Sequence, residues 1–295
     1  MKYLDPKAYL TFKKIFGNHP KRLISLLNAL LPLSEEEQIH EIEYLPTELV
    51  PEINSYRYAV ANILCTDAMS NKFCVVIRIE WSNVFKQRVL FNASKLYVSQ
   101  AKKGGKYSEL QPVYSLNLIN DIFAHDTPDF IHNYRIVHDK DSNKVIEGLH
   151  FTFIELPKFT PHSIADKRMM VLWLRFLTEI NSNTKEIPSD LLNDPEIGKA
   201  VEDLEVSGFT DAELRAYDKF WDSVSVERTL LDDRYQKGME EGMEKGMKQG
   251  MAKGEEVGKS QRSIEIAKNM LAKGMDEATI QEITGLTEDQ ILQIQ

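Results

Sequence analysis

Cysteine is almost missing from this chain: Cys65 and Cys74 are the only two among 295 residues. By strand parity they face opposite sides of a sheet, which excludes a disulfide framework and fits a reducing, cytoplasmic setting. Long apolar runs are missing too. The longest are interrupted by Arg78 or Arg175, and the N-terminus has no apolar stretch, so neither a signal peptide nor a membrane span is expected. The seven histidines contain no H-x-x-x-H pair, and two cysteines cannot build a zinc site unaided. No G-x-S-x-G elbow is present, and GEEVGKS (Gly254 to Ser260) is one residue short of a phosphate-binding loop and follows no strand. Cations are outnumbered overall, giving a formal net charge of -9, which argues against a general polyanion binder but leaves room for a local basic face.

With 42% hydrophobic residues, the chain can bury one sizeable core with appendages, or two domains. Its organising stretch is VANILCTDAMSNKFCVVIRIEW, Val60 to Trp81, which reads as two buried strands joined by a polar turn from Thr66 to Lys72. Side chains alternate faces along a strand, so Cys74, Val76, Arg78 and Glu80 point one way and Val75, Ile77, Ile79 and Trp81 the other. Arg78 is then a charge on a buried or half-buried sheet surface, where it needs a partner or an aqueous cleft.

Before the hairpin, Pro6 to Leu31 carries helical periodicity broken near Gly17 to Pro20, Gln38 to Leu45 alternates as a strand, and Pro46 to Ser55 reads as a loop. After it, Val84 to Lys103 is a helix burying Phe85, Val89, Ala93, Leu96 and Tyr97, and Val113 to Ile119 is a strand. Ile131 to Val137 and Leu149 to Leu156 form a further hairpin about the turn at Asp139 to Asn143. From His162 the pattern is helical, and Thr210 with Glu213 makes a capping box. These readings define three parts: residues 1–235, a sheet domain with a helical subdomain; 236–259, a Gly-Met array; and 260–295, three short helices broken at Gly274 and Gly285 and capped by Asp276 and Thr287. In the array glycine recurs every fourth residue from Gly238 to Gly258. A four-residue repeat drifts by about 40° per repeat on an α-helix, so the segment is either a helix whose glycine groove admits another backbone or a flexible linker.

The segments LDPKAYLTFKKIFGN, the hairpin, FKQRVLFNASKLYVSQ, YSELQPVYSLNLI and the glycine-repeat tail together resemble the Rpn family of recombination-promoting nucleases and transposases. That resemblance implies an α/β fold with a PD-(D/E)XK nuclease-like core, a mixed sheet flanked by helices, followed by an all-helical C-terminal extension. It also implies a Mg²⁺-dependent DNA endonuclease ancestry, with acids holding a cation that polarises the scissile phosphate. Family members carry Asp where this chain has Tyr9 and Asn62, and Glu-x-Gln at Val76 and Arg78. The implied site is therefore degenerate at Tyr9, Asn62, Val76 and Arg78, with no metal ligand set and no cofactor. Glu80, on the same face as Val76 and Arg78, is the acid that an active, Mg²⁺-dependent alternative would use. Arg78 either pairs with Glu43 or Glu80 or binds a phosphate directly.

Between Trp81 and Ser108 stand Lys86, Arg88, Lys95, Lys102, Lys103 and Lys106 with no acid. Arg88, Lys95 and Lys102 are spaced by seven and are expected on the helix face opposite the apolar stripe, where they could seat a phosphate backbone; Lys13, Lys14, Lys21 and Arg22 extend the patch. The C-terminal segment resembles the helix-turn-helix ends of recombinases. Its Ser260 to Gln295 span has three basic against six acidic residues, and TEDQILQIQ has no Lys or Arg, which favours oligomerisation over DNA reading there. The expected function is a catalytically degenerate, DNA-binding Rpn-like protein that forms homo-oligomers through its C-terminal helices. The alternatives are an active endonuclease and a pure interaction module.

Overall fold

The computed structural model of the chain describes residues 2–45, 59–80, 86–101, 105–161 and 168–294, excepting the side chains of Ala59, Val60, Ala61, Val76, Arg78, Glu80 and Leu231. The expected loop from Pro46 to Ser55, Phe85, Lys102 and Lys103 lie outside these residues. The chain divides into two units, Met1–Arg228 and Thr229–Gln295.

The first unit is built on a six-stranded mixed sheet in the order β1-β2-β3-β4-β6-β5. Helices α1 (Tyr9–Phe16) and α2 (Pro20–Leu30) are followed by β1 (Ile39–Tyr44), β2 (Ala59–Asp67) and β3 (Lys72–Glu80), all antiparallel neighbours. The turn is tight because Asp67 caps it, its Oδ1 accepting from the amides of Met69 at 2.9 Å and Asn71 at 2.8 Å. Helix α3 (Lys86–Ser99) then crosses over to β4 (Val113–Ile119), which lies parallel to β3. A parallel neighbour requires such a crossover, and the apolar spacing of Val89, Ala93 and Leu96 supplies the buried stripe. The order helix, three strands, helix, strand is therefore present as read from the sequence.

Strand β6 (Asp141–Glu155) is parallel to β4, and β5 (Ile131–His138) pairs antiparallel on its outer edge. This hairpin corrects the expected turn: His138 pairs with Asp141, so the turn is confined to Asp139 and Lys140, and β6 begins eight residues before Leu149. The register jumps from Arg135↔His150 to Ile136↔Ile146, and Gly148 absorbs the bulge at φ 152°, a conformation that side-chain-bearing residues rarely adopt.

One sheet face, with Ile63, Cys65, Val75, Ile77, Ile79, Leu116, Leu118 and Ile154, packs against α1, α2 and α4 (Arg168–Glu179). The short α5 (Ser189–Leu192), which the periodicity did not reveal, and α6 (Pro195–Glu202) complete that layer. Asp194 starts α6 by accepting from the amides of Glu196 and Ile197, with Pro195 at the first helical position.

Helix α7 spans Asp211–Ala272. Its start is the capping box expected at Thr210: the Glu213 carboxylate accepts from the Thr210 amide at 2.8 Å, and Thr210 Oγ1 accepts from the Glu213 amide at 3.3 Å. The Gly-Met array is helical throughout, with Met239, Met243, Met247 and Met251 exposed and open space around all six of its glycines. Of the three short helices expected after Ser260, the first is instead the end of α7, because nothing in SIEIAKNMLA interrupts the helix before Gly274. The other two are α8 (Glu277–Thr284) and α9 (Glu288–Leu292), N-capped by Asp276 and Thr287 and separated by Gly285 at φ 69°. They fold over a small core of Ala267, Met270, Ile280, Leu286 and Ile291.

Candidate nucleic-acid interface

The β2–β3 register pairs Asn62 with Val76, and Leu64 with Cys74, while β3–β4 pairs Val76 with Ser115 and Arg78 with Asn117. Asn62, Leu64, Cys74, Ser115 and Asn117 therefore share the sheet face covered by α3. That face carries buried polar side chains in a row: Asn62 is 5% exposed, Ser115 and Asn117 are fully buried. Asn117 Nδ2 donates to Ser115 O at 2.9 Å, to Ser115 Oγ at 3.1 Å and to Thr152 O at 3.3 Å. The expected roles of the Val76, Arg78 and Glu80 side chains, including pairing of Arg78 with Glu43 or Glu80, lie outside the described residues. Tyr9 opens α1 and is half-buried with Lys13 Nζ 5.9 Å from its ring centre. Because α1 packs on the opposite sheet face from Asn62, the described contacts do not bring Tyr9 and Asn62 together.

One buried acid on the α3 face was missed from sequence. The pairing Glu80↔Ile119↔Glu155 places Glu155 in the rung at the C-terminal ends of the parallel strands. Its carboxylate is fully buried and fully engaged: Oε1 accepts from the amides of Phe123 at 2.6 Å and Ala124 at 3.1 Å, and Oε2 meets Lys158 Nζ at 2.6 Å and His132 Nε2 at 2.8 Å. Burial alone would raise its pKa, but Lys158, the two amides and His132 outweigh burial and bring it down to about 2. The signal was available in FIELPK: an acid ending an apolar strand, with a lysine three residues on.

The conspicuous opening LDPKAY proves structural. Asp5 is buried and its carboxylate accepts from the Lys7 amide at 2.8 Å and lies 3.0 Å from Lys7 Nζ, while its own amide donates to Tyr217 Oη at 2.9 Å. Burial pushes the Asp5 carboxyl up, against the opposing pull of Lys7. Both cysteines are free and buried, and burial raises both thiol pKa values, that of Cys74 to about 11.

The basic helix differs from its expected geometry. Arg88 and Lys95 are half-buried on the flank of α3, one position from the buried Val89 and Leu96, and so about 100° from the apolar stripe rather than opposite it. The outward face carries large apolar side chains beside the exposed Gln87: Leu90, Phe91 and Val98 are 51%, 59% and 66% exposed. Lys86 is exposed at the helix start, with Nζ 5.0 Å from the Phe123 ring centre. The proposed extension through α1 and α2 is also corrected. Lys14 Nζ is spent on Gly208 O at 2.5 Å and the Phe209 ring, and Arg22 is buried against Asp203 and Glu196, on the far face of the sheet. Among the described residues no group of three or more His, Cys, Asp or Glu is placed to hold a metal ion, and no helix is long and apolar enough to cross a membrane.

A mixed sheet with an antiparallel β2–β3 hairpin, a crossover helix and a parallel β4 defines a nuclease-like α/β domain followed by a helical extension. A family model described as PD-(D/E)XK nuclease family transposase matches residues 6–237, and one described as the C-terminal HTH domain of the Rpn/YhgA-like nuclease family matches residues 260–295. The chain belongs to the PD-(D/E)XK nuclease family transposases, with the C-terminal segment of the Rpn/YhgA-like nucleases. No curated protein and no solved structure matches it.

Proposed function

We propose that this chain is a DNA-contacting member of its family that has lost the metal-dependent cut and self-associates through its C-terminal helices. The observation that carries the reading is the hairpin register, which sets Asn62 against Val76, with Arg78 two residues further along the same strand. An amide offers one carbonyl oxygen, a valine none, and a guanidinium a fixed positive charge; this donor set does not fit a divalent cation. Glu155, a fully buried acid of the same sheet face, supports the reading because all its acceptor capacity is spent on four protein donors.

A plasmid-nicking assay with Mg²⁺ or Mn²⁺ tests the lost cut. The expected outcome is intact plasmid; metal-dependent cutting that Glu80→Ala abolishes overturns it and makes the chain an active endonuclease. DNA contact is supported by the acid-free stretch from Trp81 to Ser108 on and around α3. Affinity should fall steeply with salt, and Lys95→Glu should weaken it about tenfold. Self-association is supported by the exposed methionine row and open glycine column of α7. Light scattering should show an oligomer for the full chain and a monomer after truncation at Tyr235.

A further inference from the structure

A crossover helix ordinarily shows water a polar face, yet α3 shows it Leu90, Phe91 and Val98, each more than half exposed. Arg88, Phe91, Lys95 and Val98 follow one another at steps of three, four and three residues, so they form a single row in which cationic and apolar side chains alternate. Lys86 stands one turn before Leu90. The stretch carries no acid, in a chain whose net charge is -9. A second copy is a poor occupant, since this stretch would bring to the pairing only further cations and no acid. A polyanion with an apolar face is a good one. In a closed duplex the base faces are hidden in the stack and only phosphates reach the lysines, whereas an unpaired base has a face to lay on an aromatic ring.

Resting on the DNA-contact reading above, we propose that α3 takes single-stranded DNA, one unpaired base stacking on the Phe91 ring while Lys95, the next cation of the same row, holds the adjoining phosphate. The ring lies one turn before Lys95 and about 40° from it around the helix, and its exposure leaves it free to meet a base without displacing core side chains.

The test is fluorescence anisotropy on the full chain with a labelled single-stranded oligonucleotide and the duplex of the same length, at one salt concentration. The single strand should bind more tightly. Phe91→Ala should weaken single-strand binding about tenfold, leave duplex binding within about twofold, and be rescued by Phe91→Trp; Lys95→Glu should weaken both. The far-ultraviolet circular dichroism of each variant checks its fold. A duplex bound more tightly than the single strand, or a neutral Phe91→Ala beside a damaging Lys95→Glu, overturns this inference and leaves DNA contact standing. No binding of either oligonucleotide, at any salt, sinks both. A Phe91→Ala protein that changes oligomeric state in light scattering assigns the face to a second copy and overturns it as well.

Discussion

The two faces of the sheet solve different problems. The face under α1, α2 and α4 buries Ile63, Val75, Ile77, Leu116, Leu118 and Ile154 against Phe12, Phe16 and Trp173, and needs little beyond shape and exclusion of water. The face under α3 alternates Leu64, Cys74, Val113, Ile119, Phe151 and Phe153 with Asn62, Ser115, Asn117 and Glu155. A buried polar group costs stability unless it is hydrogen-bonded, and the α3 face meets that cost with a mutual Ser115–Asn117 pair and a four-donor cage around Glu155. The contrast separates a face selected for packing from one that still houses charge at its C-terminal rim.

Substitutions on the two faces should fail differently. The largest effect is expected from Trp173→Ala on the apolar face, where the indole is fully buried between Phe16 and Phe176 and its Nε1 donates to Ser25 Oγ at 3.0 Å. Urea unfolding should show a loss of about 3–5 kcal/mol. Glu155→Gln comes next at about 3 kcal/mol, because it leaves the Lys158 ammonium with the carbonyls of Ala124, Thr127 and Asp129 but no counter-charge in the rim cage. If Glu155→Gln costs under about 1 kcal/mol, the rim is solvated and the contrast between the faces dissolves.

The same carboxylate gives a pH signature. Its folded pKa of about 2 lies below the unfolded carboxyl value near 4.5, so its contribution is complete above about pH 4.5 and is lost as pH falls toward 2. Wild-type chain should lose stability across that window, and the Glu155→Gln variant should lose on the order of 3 kcal/mol less. Equal acid sensitivity of the two would transfer the effect to other acids. Asn117→Ala should cost less, about 1–2 kcal/mol, by removing the donor that three oxygens share.

The strand order through β4 was legible because each element carried its own pattern: alternation for the hairpin, a 3.6-residue period for α3, and a short apolar run broken only by Ser115 and Asn117 for the doubly covered β4. What stayed hidden depends on contacts between distant segments. FIELPK announces the Glu155–Lys158 pair but not the amides at Phe123 and Ala124 that complete the cage, and nothing near Asp5 announces Tyr217. The flanking position of Arg88 and Lys95 was obscured because seven-residue spacing fixes a row but not its angle to the buried stripe. Parity put Cys74, Val76 and Arg78 on one strand face, and the register that sets Asn62 against Val76 came only with the structure; Tyr9 sits on a helix whose sheet face parity could not reveal.

The smallest expected effect concerns the second unit and has two signs. Gly246 lies inside helical α7, and a Cβ there meets nothing within 4 Å in the isolated chain. Alanine should therefore stabilise the helix itself by about 1 kcal/mol, seen as greater helicity at dilute concentration. If two copies close on the glycine column, that same methyl group obstructs the approach of the backbones, and dissociation measured by light scattering should occur at roughly tenfold higher concentration. Helicity that rises while the oligomer holds would show that the contact runs through α8 and α9 or the exposed methionines instead. The substitution thus separates a helix that carries glycine for a close neighbour from one that merely tolerates it.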